Sequence, residues 1–243
     1  MARAMFDTHG VKIIFCGHAC FRFEAGGQRI YIDPFLQENP ACPAREKQPA
    51  GAEAVLVTHG HYDHIADALG VAQRFQAPVV CNFEIGHWLM GKGLKAEQVL
   101  GMNKGGTVKV AGAEVTMVHA IHSSGIVDGK AIVYGGEAAG YVIRFAGGLA
   151  VYHAGDTCLF GDLRLIGERY RPQLALLPIG DFYVMNPADA AEACRMLGVR
   201  AVVPMHYGTF PALTGRPEEL AQHLRHSAPE CEMIALKPGE TLG

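Results

Sequence analysis

The sequence lacks several features that would point to a membrane, secreted or nucleic-acid-binding protein. Its 243 residues contain no uninterrupted apolar segment long enough to span a membrane, and the start, Met1 to Asp7, has no apolar leader core. Positive charge is not in excess either, since the formal net charge is −3. The net charge therefore gives no reason to expect nucleic acid or an anionic membrane as the main partner. We expect a cytoplasmic protein that acts on a small molecule.

Paired cysteines are also absent. The seven cysteines are an odd number scattered without paired spacing, which fits a reducing compartment. Cys16 and Cys20 lie four positions apart, but no second pair completes a zinc ribbon, so we interpret both as small core residues. Hydrophobic residues at 49% and charged residues at 19% indicate a globular protein. The length favours a single domain over residues 1–243 and leaves a homo-oligomer open.

Short strands fill the first third of the chain, and strands alternate with helices afterwards. Predicted strands cover 11–16, 20–24, 28–33, 54–57, 78–81, 107–110, 114–119, 141–145, 149–152, 174–177, 201–203 and 233–236. Predicted helices cover 65–75, 84–90, 187–197 and 217–225. Strands outnumber what one helix-covered parallel sheet needs. The order therefore predicts an α/β fold, an αββα sandwich of two mixed β-sheets flanked by helices and built from two similar halves.

Two long segments do not match either element type. The proline-rich segment 34–52 is predicted to be irregular and exposed. The glycine-rich segment 123–140 fits a mobile flap or an ordinary long hairpin loop equally well.

Metal-binding side chains are concentrated in the run THGHYDH at residues 58–64, directly after a predicted strand. A strand that ends in a ligand-bearing loop is a common way to build a metal site. Residues two apart in an extended backbone point the same way, so His59 and His61 can bind one ion. Asp63 and His64 lie where the chain turns into the predicted helix, and because of this change of direction they can bind a second ion. The run predicts a two-metal site, the alternative being a polar turn that contains histidines by chance.

Two metal ions need about six to eight protein ligands, so this run cannot supply the whole site. We expect the others where further strands end. Three stretches meet that condition: 119–125, 152–157 and 204–208.

These motifs together resemble the metallo-β-lactamase superfamily. The resemblance lies in the HxHxDH pattern at 59–64, a histidine before a Ser/Gly turn, Gly155-Asp156-Thr157, and a late His206 after a strand. Six shorter motifs make the chain similar to one branch of that superfamily, the metal-dependent hydrolases that resemble ascorbate-6-phosphate lactonase. These motifs are GHA (17–19), IDPFL (32–36), NP (39–40), HSS (122–124), LPIGD (177–181) and PMHYGTFP (204–211). The match runs from about residue 11 to 236.

The resemblance implies three ligands for each ion and one shared carboxylate. His59, His61 and His122 would bind the first ion, Asp63, His64 and His206 the second, and Asp156 both. A carboxylate between two cations offsets charge and holds them about 3.5–4 Å apart, as a two-metal mechanism requires. Histidine-rich ligation favours zinc, while manganese, iron or nickel fit the same groups.

His119 and His122 compete for one ligand position. His119 alternates with Val115 and Met117, which places it towards a packed interior, so we favour His122 beyond the strand end. His153, three residues before Asp156, is interpreted as a supporting or core histidine.

Two further residues are expected near the metals. The resemblance implies that Asp33 orients a ligating histidine through its second nitrogen. His18 lies either beside the metals or simply in a turn.

The expected activity is hydrolysis of an ester, lactone, amide or phosphoester by a metal-bridged hydroxide, with Asp63 or Asp156 taking up the proton. A diiron redox enzyme of the same fold is one alternative. Such members carry Glu at the position of His61 and a flavin domain, for which no residues remain here. A non-enzymatic metal-binding scaffold is the other, although a scaffold does not need an open two-metal centre.

Substrate choice is expected to depend on the segments 37–52, 123–140 and 181–186, because function in such folds lies in the loops. Tyr183, Tyr207 and Thr209 are candidate substrate contacts. Gln37-Glu38 stands where relatives carry a Thr-Gly pair, so their substrates are not carried over.

Overall fold

The computed structural model describes residues 6–243, which begin with an antiparallel meander. Its strands are β1 (Lys12–Gly17), β2 (Cys20–Ala25) and β3 (Gln28–Ile32). Aliphatic and aromatic residues pair across it, as in Ile13 with Phe23 and Phe23 with Ile30, and Gly26 and Gly27 form the turn of the second hairpin. The first predicted strands and this hairpin are confirmed.

The remaining elements of the first half alternate between strand and helix. In order they are β4 (Ala54–Leu56), α1 (Tyr62–Ile65), α2 (Ala68–Phe75), β5 (Val79–Asn82), α3 (Phe83–Gly91), a 3₁₀ turn (Ala96–Gln98), β6 (Val99–Met102), β7 (Thr107–Val110) and β8 (Ala113–His119).

The second half adds a further hairpin and three helices. In order they are β9 (Gly125–Asp128), β10 (Ala131–Tyr134), β11 (Ala139–Phe145), β12 (Ala150–His153), α4 (Leu163–Tyr170), β13 (Leu174–Pro178), α5 (Pro187–Leu197), β14 (Ala201–Met205), α6 (Pro217–Ser227), β15 (Glu232–Met233) and β16 (Thr241–Leu242).

Most strands belong to two seven-stranded sheets. One has the order β16-β1-β2-β3-β4-β5-β6 and the other β15-β14-β13-β12-β11-β8-β7. Both are mixed, and their apolar faces meet in one core that contains Phe21 and Ile32 from the first sheet and Tyr141 and Leu176 from the second. Helices α2 and α3 cover the outer face of the first sheet, and α4, α5 and α6 cover that of the second. The predicted αββα sandwich is confirmed.

The direction of the strands decides where side chains can meet. β3, β4 and β5 are parallel, and so are β12, β13 and β14. β8 runs in the same direction as β12, because both pair antiparallel with β11. Residues that follow the carboxyl ends of these strands therefore meet at one edge of the sandwich, the usual place for ligands in α/β folds.

The single helix predicted over 65–75 is wrong. The chain forms the short helix α1, breaks, and starts again as α2. At the break, the Asp67 carboxylate accepts hydrogen bonds from the backbone N–H groups of Leu36, at 2.7 Å, and Gln37, at 3.0 Å. This contact with a distant segment fixes the break, and the local helical pattern does not reveal it.

Two other predictions need correction. Segment 34–52 is irregular as predicted but not uniformly exposed, since Phe35, Leu36 and Asn39 are buried. Segment 123–140 connects the antiparallel strands β8 and β11, as the hairpin-loop alternative predicts, and it contains the additional hairpin of β9 and β10. In place of the closing strand predicted over 233–236, the chain forms two separate strands of two residues each, β15 and β16. β15 pairs with β14 in the second sheet, and β16 pairs with β1 at the edge of the first sheet. The sequence analysis also missed β6 and α4.

No disulfide joins the described residues, and Cys16 and Cys20 are buried in the core beneath the helices of the first sheet. Within residues 6–243 no helix is both long and apolar enough to cross a membrane.

Candidate metal centre

The histidine-rich loop leaves the carboxyl end of β4 and is fixed by hydrogen bonds. Thr58 donates its backbone N–H to Asp33 Oδ1 at 2.8 Å, and its Oγ1 lies 3.0 Å from His59 Nδ1. This contact turns His59 Nε2 towards His61 Nδ1, 3.0 Å away. The other ring nitrogen of His61, Nε2, lies 3.2 Å from Ser123 Oγ. Each histidine therefore presents one nitrogen to the site and anchors the other.

Asp156 lies at the centre of the predicted ligands. It follows the carboxyl end of β12, and its side chain is only 3% exposed. Its Oδ2 is surrounded by the Nε2 atoms of His206 at 3.0 Å, His64 at 3.4 Å, His122 at 3.6 Å and His59 at 3.8 Å. The structure thus brings residues from β4, β8, β12 and β14 to one carboxylate.

All seven predicted ligands fall into two adjacent groups whose candidate ligand atoms lie within 4.8 Å of one another. One group is His59, His61, His122 and Asp156, and the other is His18, Asp63, His64 and His206. The first matches the set predicted for the first ion. The second contains the three predicted ligands of the second ion and adds His18.

Several buried polar atoms in these groups have no hydrogen-bond partner among residues 6–243. They are His64 Nε2, Asp156 Oδ1, both ring nitrogens of His206, and His18 Nδ1. Buried polar atoms without partners are rare in folded proteins and call for an explanation such as an ion. Imidazole nitrogens and carboxylate oxygens are donors that zinc and related divalent ions accept, so the donor set fits two cations.

The electrostatics of the site favour the neutral forms of His59, His61 and His122 and the ionised form of Asp156. Burial lowers the pKa of His59, His61 and His122, and the other imidazoles of the site lower it further. Burial alone would raise the pKa of Asp156, but its electrostatic interactions with the imidazoles of His206 and His64 hold it well below its ordinary value. Neutral imidazole and ionised carboxylate are the protonation states that bind metal.

His64 lies between two carboxylates. Burial alone would lower its pKa, but Asp156 and Asp33 outweigh that effect and raise the pKa well above its ordinary value. The two carboxylates therefore favour the protonated form of this imidazole, and a cation bound by His64 would have to displace that proton.

Asp33 and Thr58 orient His64 and His59 by contacting the Nδ1 atoms of these rings. Asp33 Oδ2 lies 2.8 Å from His64 Nδ1 and accepts a hydrogen bond from Thr58 Oγ1 at 2.6 Å. The structure thus places Asp33 where the resemblance implied, with His64 as its partner. Thr58 was not predicted as a site residue, although its position directly before His59 is a signal that could have identified it.

The remaining candidate histidines have other partners. His119 Nδ1 lies 2.9 Å from Lys104 Nζ, and the residue belongs to neither group. His153 Nε2 lies 2.9 Å from the Ala19 carbonyl oxygen, and its Nδ1 accepts the backbone N–H of Gly155 at 3.1 Å, so both ring nitrogens are used. His18 instead reaches the site, with Nε2 2.9 Å from Asp63 Oδ2.

Comparison with known proteins identifies the family of the chain. The profile of the β-lactamase superfamily domain matches residues 28–207. The chain is also 52% identical over 236 residues to a UPF0173 metal-dependent hydrolase of Rubrobacter xylanophilus, covering 96% of this chain and 97% of that protein. The chain belongs to the metallo-β-lactamase superfamily. The superfamily match includes all seven predicted ligands, whereas His18 lies outside it.

Two further relatives extend over nearly the whole chain. A UPF0173 metal-dependent hydrolase of Koribacter versatilis is 50% identical over 236 residues, covering 97% of this chain and 99% of that protein. The structure of Igni18, a metallo hydrolase from the archaeon Ignicoccus hospitalis, is 37% identical with a TM-score of 0.82, covering 96% of this chain and 97% of that one. The metallo-β-lactamase fold thus accounts for both sheets and not only for the segment around the centre.

Proposed function

We propose that this protein is a hydrolase that depends on two divalent metal ions, and that zinc is the favoured metal. The observation that carries the proposal is the pair of four-residue ligand groups that meet around the buried carboxylate of Asp156. Relatives that match nearly the whole chain are named metal-dependent hydrolases, which supports the same reaction class.

Seven side chains are proposed to hold the ions. His59, His61 and His122 would hold the first, Asp63, His64 and His206 the second, and Asp156 would bridge them. Two divalent ions bound there would lower the pKa of a shared water towards neutrality and polarise the bond that is cleaved.

The protein's own groups orient this centre and handle the proton. Thr58 and Asp33 fix the rings of His59 and His64, so their Nε2 atoms keep one direction during turnover. Asp63 is 26% exposed while Asp156 is only 3% exposed, so Asp63 is the carboxylate that solvent and substrate can reach. We therefore assign to Asp63 the uptake of the proton released when water attacks.

Three exposed apolar side chains lie beside the candidate ligands and His18 and form what we call the rim of the site. Tyr62, between two candidate ligands, is 46% exposed, and Ile121, next to His122, is also 46% exposed. The ring of Phe210 lies 5.5 Å from that of His18. Exposed apolar clusters commonly mark binding surfaces, so this rim suits a substrate with an apolar group.

Positive charge is absent from the segments that carry these three side chains. Lysine and arginine occur in none of the segments 59–64, 121–124 and 206–215. Phosphate groups are commonly bound by such cations. Among the proposed substrates, the rim therefore favours uncharged esters and lactones over phosphorylated compounds.

Metal content and hydrolysis measured on one preparation test the proposal. Protein purified without added metal should contain about two divalent ions per chain by elemental mass spectrometry. It should hydrolyse members of a panel of aryl esters, lactones and phosphodiesters, with the highest kcat/KM on an uncharged apolar ester. A chelator should abolish the activity, and metal added back should restore it.

Two results would contradict the proposal. Fewer than one ion per chain, even after reconstitution, would refute the ligand assignment. Two ions with no turnover anywhere on the panel would favour a metal-binding scaffold instead.

A further inference from the structure

His18 occupies an unusual place for a histidine. It lies in the turn between β1 and β2, its side chain is fully buried, and its backbone φ is +61°. Non-glycine residues with positive φ are uncommon, and such strain tends to persist at functional sites. The carbonyl oxygen of His18 accepts a hydrogen bond from the backbone N–H of His206 at 2.7 Å, and His206 itself has φ of +56°. The turn is therefore tied directly to a candidate ligand.

The side chain of His18 is tied to a second candidate ligand. Its Nε2 lies 2.9 Å from Asp63 Oδ2, while its Nδ1 has no partner in the described part of the chain. An ionised carboxylate only accepts hydrogen bonds, so Nε2 carries the hydrogen and donates it to Asp63. No other hydrogen bond to the Asp63 side chain occurs within residues 6–243.

Asp63 needs such a restraint more than the other ligands do. It lies in α1, a helix of only four residues, and at 26% it is more exposed than His64, His122, Asp156 or His206. A carboxylate that rotates freely binds a metal less tightly than one held in place, because ordering it costs conformational entropy.

We propose that His18 is a positioning residue for the second metal ion. It fixes the Asp63 carboxylate through Nε2–H and the His206 backbone through its carbonyl oxygen. The proposal rests on the two-metal centre proposed above. His18 lies outside the segment 28–207 that matches the superfamily domain, so the proposal adds a supporting residue that this match does not include.

A packing role is the competing explanation. The His18 ring also contacts aromatic rings, at 5.9 Å from Phe35 and 5.5 Å from Phe210. Two substitutions separate the roles. His18→Phe keeps an aromatic ring but removes the donor, whereas His18→Gln loses the ring but keeps an N–H that can reach Asp63.

The test is a titration of metal-free protein with Co²⁺, followed by visible absorption and by elemental analysis of the ions retained. Wild-type protein should take up two ions. His18→Phe should bind the first ion normally and the second at least about tenfold more weakly, the usual size of a lost contact behind a ligand. His18→Gln should stay within a few-fold of wild type. His119→Phe, which removes an imidazole outside both ligand groups, should match wild type.

Two results would overturn the proposal. One is a folded His18→Phe protein that binds both ions as tightly as wild type, which would assign the ring to packing. The other is a folded His18→Gln protein that loses the second ion as fully as His18→Phe does. Uptake of a single ion by wild-type protein would instead refute the two-metal centre itself, so the two failures are distinguishable.

Discussion

Asp156 is the residue on which the candidate centre depends most. Four imidazoles from two sheets lie within 3.8 Å of its Oδ2, and its Oδ1 is buried without a partner among the described residues. A neutral side chain there would leave histidines around a site with too little negative charge to offset two cations. Its charge, more than its shape, should therefore determine metal binding.

Asp156→Asn tests this point, because asparagine keeps the size of aspartate and removes the charge. We expect loss of at least one ion and a fall in hydrolysis of at least about 100-fold, since the shared ligand of both ions is weakened. Elemental mass spectrometry and initial rates measure both effects. Asp162→Asn, which neutralises an exposed carboxylate six positions later, should change neither. A two-ion, fully active Asp156→Asn protein would rule out the bridging role.

Residue type and spacing predict part of the site at this scale. The HxHxDH run nominated four ligands, and the strand ends narrowed the others to three stretches. The resemblance to the superfamily then selected Asp156 and His206 and supported His122, and the structure brings all seven residues together. The contact of His18 was not predictable in the same way. His18 meets Asp63 across 45 positions of the chain, and no local pattern records such a contact.

The hairpin of β9 and β10 is the element that supports the histidine-rich loop from the second sheet's side. It begins three residues after His122, and Ser124 Oγ accepts the backbone N–H of Gly60 at 3.0 Å. A Cβ atom on Gly60 would lie 2.5 Å from Ile126 Cγ1 and 2.9 Å from the Ser124 carbonyl oxygen. The Gly60 backbone is therefore packed against Ser124, directly before the hairpin, and against the side chain of Ile126 within it, so the positions of the loop and the hairpin are coupled.

Gly60→Ala should push the histidine-rich loop and the hairpin of β9 and β10 apart. The added methyl group must push the hairpin away or move His61, and small displacements of catalytic groups can cost about 100-fold in rate. We expect a clear loss of kcat with weaker metal binding, measured by steady-state kinetics and metal titration. Gly70→Ala on α2 is the matched control, because no atom lies within 4 Å of its added Cβ. Unchanged kcat in Gly60→Ala would show that the hairpin does not hold the loop.

Element predictions were most accurate where local pattern and final fold agree. The helix Pro187–Leu197, with proline at its first turn and Gly198 beyond its end, was predicted residue for residue. The failures involve long-range contacts. The break between α1 and α2 depends on the bonds from Asp67 to segment 36–37, and β16 exists because Leu242 pairs with Ile13 at the other end of the chain.

At the scale of the whole molecule, the candidate centre joins the two sheets. His59, His61, Asp63 and His64 follow β4 of the first sheet, whereas His122, Asp156 and His206 follow β8, β12 and β14 of the second. Bound ions would therefore link the sheets across the edge of their shared core. We propose that residues 6–243 unfold as one unit whose stability includes this link, consistent with a single domain.

Removal of metal should lower the thermal stability of the whole protein. One ion present at 100 times its Kd stabilises the folded state by about 2.7 kcal/mol, so two such ions contribute about 5.4 kcal/mol. Because about 1 kcal/mol shifts Tm by roughly 2–4 °C in a protein of this size, chelation should lower Tm by about 11–22 °C. Differential scanning calorimetry should show one transition before and after chelation, and Asp156→Asn should respond less. An unchanged Tm after confirmed metal release would show that the ions do not link the sheets, and two separate transitions would show that the sheets unfold independently.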